Sequence, residues 1–280
     1  MNAADELSES STPERGRASS NRIEHALRTV HEYTRDTLGI HPYHILFDSG
    51  LVLVAAMAVL FSGSISQMQW LRFLAAFAFT TVSFEVGYLR VKRALFGIDS
   101  RSYLQDLFAY VLPVWIGTAV ALGVDLRATM DLIGLQLPVL LGFIRVGCFL
   151  GGCCYGVPWK YGVRYPSKVF TDHDGNCQSF SSGENPGCRV FPIQIVEAAF
   201  NFLLFGVLLW RLLAVGVTGL TLPLYLLSYT GYRFLSDFFR MSSARPNWGP
   251  LSEAQWVSLA ALTVIFVGLS FQTNPVILPL

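Results

Sequence analysis

The chain has 280 residues, of which 52% are apolar and only 14% charged, with a net charge of +1. Soluble domains carry about 25% charged residues, and the net charge of +1 by itself says nothing about partners. Apolar runs of about 18 residues or more, enough to cross roughly 30 Å of hydrocarbon as helix, recur along the chain and predict an all-α, polytopic membrane protein.

Residues 1–20, MNAADELSESSTPERGRASS, are polar, rich in serine and acidic residues and without aromatics, which predicts a disordered tail. No apolar stretch follows a basic start there, so the tail does not read as a signal peptide. From Asn21 onward Ile23, Leu27, Val30, Tyr33 and Leu38 recur at roughly helical spacing among charges, predicting an amphipathic interfacial helix over 21–40. Residues 41–280 then form a transmembrane domain with seven predicted spans, at about 45–62, 70–89, 103–123, 128–151, 192–213, 217–239 and 252–271. A polar loop, 156–190, separates the fourth from the fifth. Pro113, Pro138 and Pro223 fall inside spans, where each frees a carbonyl that protein or water must satisfy.

A charge at the centre of a spanning helix costs about 2.5–3.5 kcal/mol on insertion scales, so those that persist face protein or a cavity. The candidates are Asp48, Glu85, Arg145, Glu197, Arg233, Asp237 and Arg240. Arg233, Asp237 and Arg240 follow a spacing of four and then three, which puts them on one helical face that Tyr229 extends. Gln194 and Glu197, three apart, share the first turn of the fifth span. Two or three guanidiniums with a carboxylate or two and a tyrosine hydroxyl suit an anionic phosphate headgroup, because guanidinium pairs with phosphate in bidentate fashion. The plainer reading is that Asp237 neutralises one flanking arginine, which still leaves the other for a ligand.

The fourth span ends in GFIRVGCFLGGCCYGVPW, residues 142–159. Three readings of Cys148, Cys153 and Cys154 stand open: a metal site completed by Cys177, Cys188 or His173, a covalent nucleophile, or small residues in a close-packed turn. Adjacent cysteines chelate one ion poorly, so neither metal nor cofactor is assigned. Glycines at 147, 151, 152 and 156 favour the turn. Cys177 and Cys188 flank the polar loop, either as a disulfide in an oxidising compartment or as two unrelated thiols.

Four segments in order, IRVGCFLGGCCYG, FPIQIVEA, YTGYRFLSDFFR and LSEAQWVSL, resemble the landmarks of the prolipoprotein diacylglyceryl transferase (Lgt) family over about residues 41–271. The family signature reads G-R-x-G-N-F-x-N-G-E-x-x-G. It is followed by H-P-x-Q-L-Y-E, a Y-G-x-x-R-F helix ending in F-F-R, and a last helix opening near S-x-x-Q. By this resemblance Arg145 matches the signature arginine, Cys148 stands for its first Asn and Gly156 for its last Gly. Gln194 and Glu197 match the Q-x-x-E segment, Tyr229 and Arg233 the sixth-helix motif, and Arg240 the F-F-R arginine, while Asp237 falls where the family often has Glu.

The resemblance implies a seven-span fold in the bacterial plasma (inner) membrane. It also implies transfer of a diacylglyceryl group from phosphatidylglycerol to the lipobox cysteine of a prolipoprotein signal peptide, releasing glycerol phosphate. Arg145, Arg233, Tyr229 and Glu197 are the catalytic residues expected on this basis. Arg145, Cys148, Gly156, Gln194, Asp237 and Arg240 are expected to bind the lipid. Two departures stand out. The family's G-G-x-S-x-H-G-G segment, whose histidine matters to activity, is replaced by SRSYLQDLFAYVLP at 100–113, and Phe191 stands where H-P-x-Q has histidine. His41, His44 and His173 remain as other bases, beside Glu197 and Asp237. These departures keep open a related transferase with another acceptor, and a non-catalytic lipid-binding protein. Counting basic loop residues puts the N-terminus inside, whereas the resemblance puts it, with the 156–190 loop, outside.

Overall fold

The computed structural model describes residues 14–62, 67–96, 106, 110–163, 165, 189–240 and 247–273. The first helix, α1 (Glu14–Glu32), begins inside the segment expected to be disordered. Its Glu, Arg and Ala residues are good helix formers, and Arg28 and Glu32 pair four apart on an exposed face. A polar composition describes a solvated helix face as well as it describes a coil, so composition alone placed the start too late. Residues 1–13 lie outside the described residues. On its inner side α1 buries Leu27 against Tyr155, Val163, Tyr165 and Val190.

Each of the seven apolar stretches carries a helix. These are α2 (Pro42–Ser62), α3 (Gln67–Val82), α5 (Leu112–Ala121), α6 (Leu126–Leu150), α7 (Ile193–Val215), α8 (Thr221–Ser236) and α9 (Glu253–Thr273). A π-helical turn, Ser83–Tyr88, continues α3 into α4 (Leu89–Phe96), so the second stretch runs beyond its predicted end. Pro42–Leu60, Leu71–Leu95, Leu126–Leu150 and Ile193–Val215 are each long and apolar enough to cross a membrane. Their outward positions, among them Val52, Leu60, Leu203, Trp210 and Leu213, expose large apolar side chains that lipid would cover.

The central helix is α6, half of whose apolar window is buried and which packs against α2, α7 and α8. Pro138 is interior to a helix, and Pro113 follows the π-helical residues 110–111 that run into α5. Pro223 occupies the first turn of α8, where a missing N–H has no intrahelical partner to lose. Within α6 the buried carboxylate of Asp131 accepts from the backbone N–H groups of Thr218, Gly219 and Thr221 at 2.7, 2.8 and 2.9 Å. It also accepts from the Thr221 hydroxyl at 2.6 Å, which pins the start of α8 to the centre of the bundle. A second buried charge pair joins Lys92 to Asp106 at 2.7 Å, with Tyr88 donating to Asp106 at 2.8 Å.

The two ends of the polar loop are ordered by backbone pairing. Strand β1 (Pro158–Val163) receives its partner from residues 189–191: Trp159 N–H donates to the Arg189 carbonyl at 2.8 Å, and Val163 bridges Val190. The loop is therefore irregular over less of 156–190 than its polarity suggested. Its remainder, with His173, Cys177 and Cys188, lies outside the described residues, as does the Glu85 side chain. A two-residue hairpin, β2 (Asn247–Trp248) with β3 (Leu251–Ser252), leads into α9.

Candidate active site

Three helices deliver the charged candidates to one place. Glu197, near the start of α7, is 0% exposed. Its Oε1 lies 2.9 Å from Nε of Arg145 on α6 and accepts from the Tyr229 hydroxyl of α8 at 2.9 Å. Its Oε2 accepts from Nη2 of Arg240. The Arg145 contact is an ion pair whose Nε–H is not aligned on the carboxylate. Next to this group, Nη2 of Arg233 lies 3.3 Å from Oδ1 of Asp237, whose Oδ2 accepts from the Ser252 hydroxyl.

Among the described residues the cluster holds three arginines, Arg145, Arg233 and Arg240, against two carboxylates, Glu197 and Asp237, a surplus of one positive charge. Arg233 and Arg240 are buried, and Arg145 keeps 15% of its side chain exposed. A surplus charge in a low-dielectric surround is held at high cost unless an anion meets it.

The sequence placed Arg233, Asp237 and Arg240 on one helical face, and here the structure differs. Helix α8 ends at Ser236, a 3-10 turn spans Asp237–Phe239, and Arg240 has extended backbone. Arg240 reaches Glu197 because its backbone bridges Gly156. A Cβ at residue 156 would lie 2.5 Å from the Phe239 carbonyl oxygen and 2.9 Å from that of Phe191. Only glycine lets these three segments meet, so Gly156, expected to bind lipid, has a backbone role that positions Arg240.

Gln194 is fully buried, and its Nε2 donates to the Cys153 carbonyl at 2.6 Å and lies 3.4 Å from the Tyr165 hydroxyl. It thus ties the cysteine turn to α7. Burial pushes the Tyr165 phenol well above its ordinary range, so it stands there as a neutral hydroxyl. The turn itself follows the glycine-based expectation. After α6 ends at Leu150, Gly152 and Cys154 take left-handed backbone with φ of 71° and 57°, and Cys153 N–H donates to the Cys148 carbonyl at 2.9 Å. Cys148 and Cys153 are buried and Cys154 half-buried.

His41 stands against this turn, since a Cβ at Gly151 would meet its Cε1 at 2.5 Å. Its Nδ1 accepts from Tyr43 N–H at 3.2 Å. His44 and Asp48 are exposed on α2.

Asn201 escaped the sequence reading. Asn201 is fully buried, donates to the Glu197 carbonyl at 2.8 Å and accepts from the Tyr225 hydroxyl at 3.0 Å. The Tyr225 ring in turn stacks on Tyr229 at 5.6 Å. Gln194, Glu197 and Asn201, spaced three and four apart, form a polar stripe on an otherwise apolar helix, and that signal was available. Ser252 and Gln255 form a reciprocal cap on α9. Ser252 N–H donates to Gln255 Oε1 at 2.9 Å, and Gln255 N–H to the Ser252 hydroxyl oxygen at 3.2 Å.

Fold and site together define an all-α polytopic membrane protein with a buried, net-positive arginine–carboxylate cluster at the junction of three helices. The family profile described as prolipoprotein diacylglyceryl transferase matches residues 102–271, and the chain belongs to that family. It is similar to the phosphatidylglycerol–prolipoprotein diacylglyceryl transferase of Clostridium tetani, 32% identical over 146 residues that cover 51% of this chain and 53% of the relative. It is also similar to transferase 2 of Clostridium perfringens, 31% identical over 134 residues, 47% of each chain. The Chlorobaculum tepidum transferase is 29% identical over 153 residues, 54% of this chain and 48% of the relative. The chain thus spans about half the length of the relatives it matches. The profile match includes every residue of the arginine cluster and excludes α1, α2 and His41, which precedes α2.

Proposed function

We propose that this protein is a transferase of the bacterial plasma membrane that moves a diacylglyceryl group from phosphatidylglycerol to the lipobox cysteine thiol of a prolipoprotein. The single observation that carries this reading is the net positive cluster of Arg145, Arg233 and Arg240 around Glu197 and Asp237. The relatives' names, which couple phosphatidylglycerol to prolipoprotein, support the choice of substrates.

In this reaction the acceptor sulfur attacks the glyceryl carbon, a C–S bond forms, and the C–O bond to phosphate breaks. The electron pair leaves on glycerol phosphate. Preorganised donors aimed at that developing charge supply the main stabilisation. Arg145 is the partly exposed guanidinium and so the one a headgroup meets first. Arg240 keeps Nε without a hydrogen bond among the described residues. Glu197 accepts from Tyr229 and Arg240 while ion-paired to Arg145, which makes it a positioning residue that holds the donors in place. Asp237 is likewise engaged, by Arg233 and Ser252. The acceptor thiol's proton then goes to a base outside the cluster, and the packing of His41 on Gly151 favours His41 for it. A second reading, the same lipid chemistry with a different acceptor, is favoured by the absence of histidine from residues 45–172.

The test uses purified protein in phosphatidylglycerol vesicles with a lipobox peptide, read by mass spectrometry. The expected products are the diacylglyceryl thioether and glycerol phosphate, both lost in Arg145→Ala while the protein still inserts. Glycerol phosphate without thioether assigns the second reading. Neither product, with a known transferase active alongside, overturns lipid transfer.

A further inference from the structure

We propose that Cys148, Cys153 and Cys154 form a binding site for a soft divalent metal ion, zinc, held by three thiolates with one coordination position left open. The three Sγ atoms lie within 4.8 Å of one another. Three sulfurs around one zinc at about 2.3 Å sit about 4 Å apart, so closing on an ion asks for less than about an ångström of movement from each. The objection raised by the sequence, that neighbouring cysteines point apart, is removed by the backbone. Cys154 has φ 57°, the one positive φ at a non-glycine residue among those described, and this turn brings its sulfur to the side of Cys148 and Cys153.

That conformation is strained for a non-glycine residue and persists where surrounding contacts over-determine it. Gln194 and Tyr165 supply such contacts from outside the turn. Gln194 Nε2 holds the Cys153 carbonyl at 2.6 Å, and Cys153 N–H closes the turn on the Cys148 carbonyl at 2.9 Å. The thiols are thus part of a braced structure. Small size alone explains neither the convergence of three sulfurs nor the strained residue, since alanine or glycine would pack as closely.

Charge favours a divalent ion. Three thiolates on zinc carry one net negative charge, and Cys148 lies three residues, just under one turn, beyond Arg145 in a cluster with one positive charge in surplus. A monovalent soft ion such as cuprous copper would leave two negative charges. Cys154 is half-buried and gives the ion a path in. Binding releases three thiol protons and changes no oxidation state. This inference stands apart from the lipid-transfer reading, because it rests on the cysteine turn and its test reads metal alone.

The experiment uses the full chain in detergent, carrying Cys177→Ser and Cys188→Ser so that no other thiol reports, reduced and stripped with a chelator. Cadmium is added as the optical probe. The expected result is an ultraviolet thiolate-to-cadmium band that saturates at one equivalent, and one equivalent of zinc retained through gel filtration when the stripped protein is loaded with zinc instead. Cys148→Ser, Cys153→Ser and Cys154→Ser should each weaken cadmium binding by about tenfold or more. The half-buried Cys154→Ser is the variant least at risk of misfolding, and circular dichroism of each variant checks its helices. No saturable band, or a band unchanged in folded Cys154→Ser, overturns the proposal. So does isolation of the protein with two of the three thiols resistant to alkylation until reduced, which would assign a disulfide instead. A saturable cadmium band with no zinc retained through gel filtration would overturn the choice of zinc.

Discussion

Replacing Glu197 by glutamine keeps the shape of the side chain and removes the charge that holds Arg145 and Arg240. Breaking one partner out of a buried ion pair typically costs about 3–5 kcal/mol, because it strands the other charge. Glu197→Gln is therefore expected to lower the thermal unfolding midpoint, and to lose turnover even at temperatures where it stays folded. Stability unchanged from the parent would show that the carboxylate is not the anchor. Gly156 acts on the same site through the backbone. Gly156→Ala places a methyl group against two carbonyl oxygens, an overpacking that costs about 1–3 kcal/mol. It is expected to displace Arg240 and cut turnover severalfold, with little change in vesicle insertion.

Among the elements, α6 and α8 are joined by one carboxylate. Asp131 satisfies three backbone N–H groups and a hydroxyl at the start of α8. Asn at this position keeps one acceptor and turns an amide N–H toward backbone donors, leaving buried groups unsatisfied. Hydrogen bonds to charged acceptors are each worth about 1.5–3 kcal/mol, and Asp131→Asn is expected to destabilise by about 3 kcal/mol in denaturant unfolding. Since α8 carries Tyr229 and Arg233, its turnover should fall as well. The sequence offered no sign of this, as Asp131 sits in an apolar run where nothing marks a partner nearly ninety residues away. The same holds for Lys92 and Asp106, which the fold pairs across the segment between α4 and α5. Proline position, by contrast, was misread for a local reason. Pro223 looked interior to its span because the span start was placed by hydropathy, which does not see the first helical turn.

For the whole molecule, the open matter is which way the bundle faces. The basic-residue count disagrees with the resemblance, and Arg145, Arg233 and Arg240 weaken the count because burial in the site takes them out of the loops. The resemblance would put the N-terminus and β1 outside, an expectation that labelling tests. Lys160, exposed on β1, offers a probe: Lys160→Cys should react with a membrane-impermeant maleimide on intact cells, above a Lys160→Ser control. Labelling only after permeabilisation would reverse the orientation.

The sequence by itself determined what depends on composition and short-range periodicity. The membrane environment follows from the apolar runs, the positions of the helices from hydropathy, and a candidate list that includes the cluster from charges too costly to leave in lipid, although Asp48 on that list is exposed on α2. The turn after α6 was equally readable, because glycine spacing is a local signal. Only the tertiary structure decided which groups meet. It put Arg145 and Arg240 on the same carboxylate, brought Arg240 in on extended backbone against Gly156, and converged three sulfurs around one left-handed residue. These contacts join residues far apart in the chain, and helix packing sets their geometry. A one-dimensional pattern can show that a charge needs a partner, but the partner's identity lies in the fold.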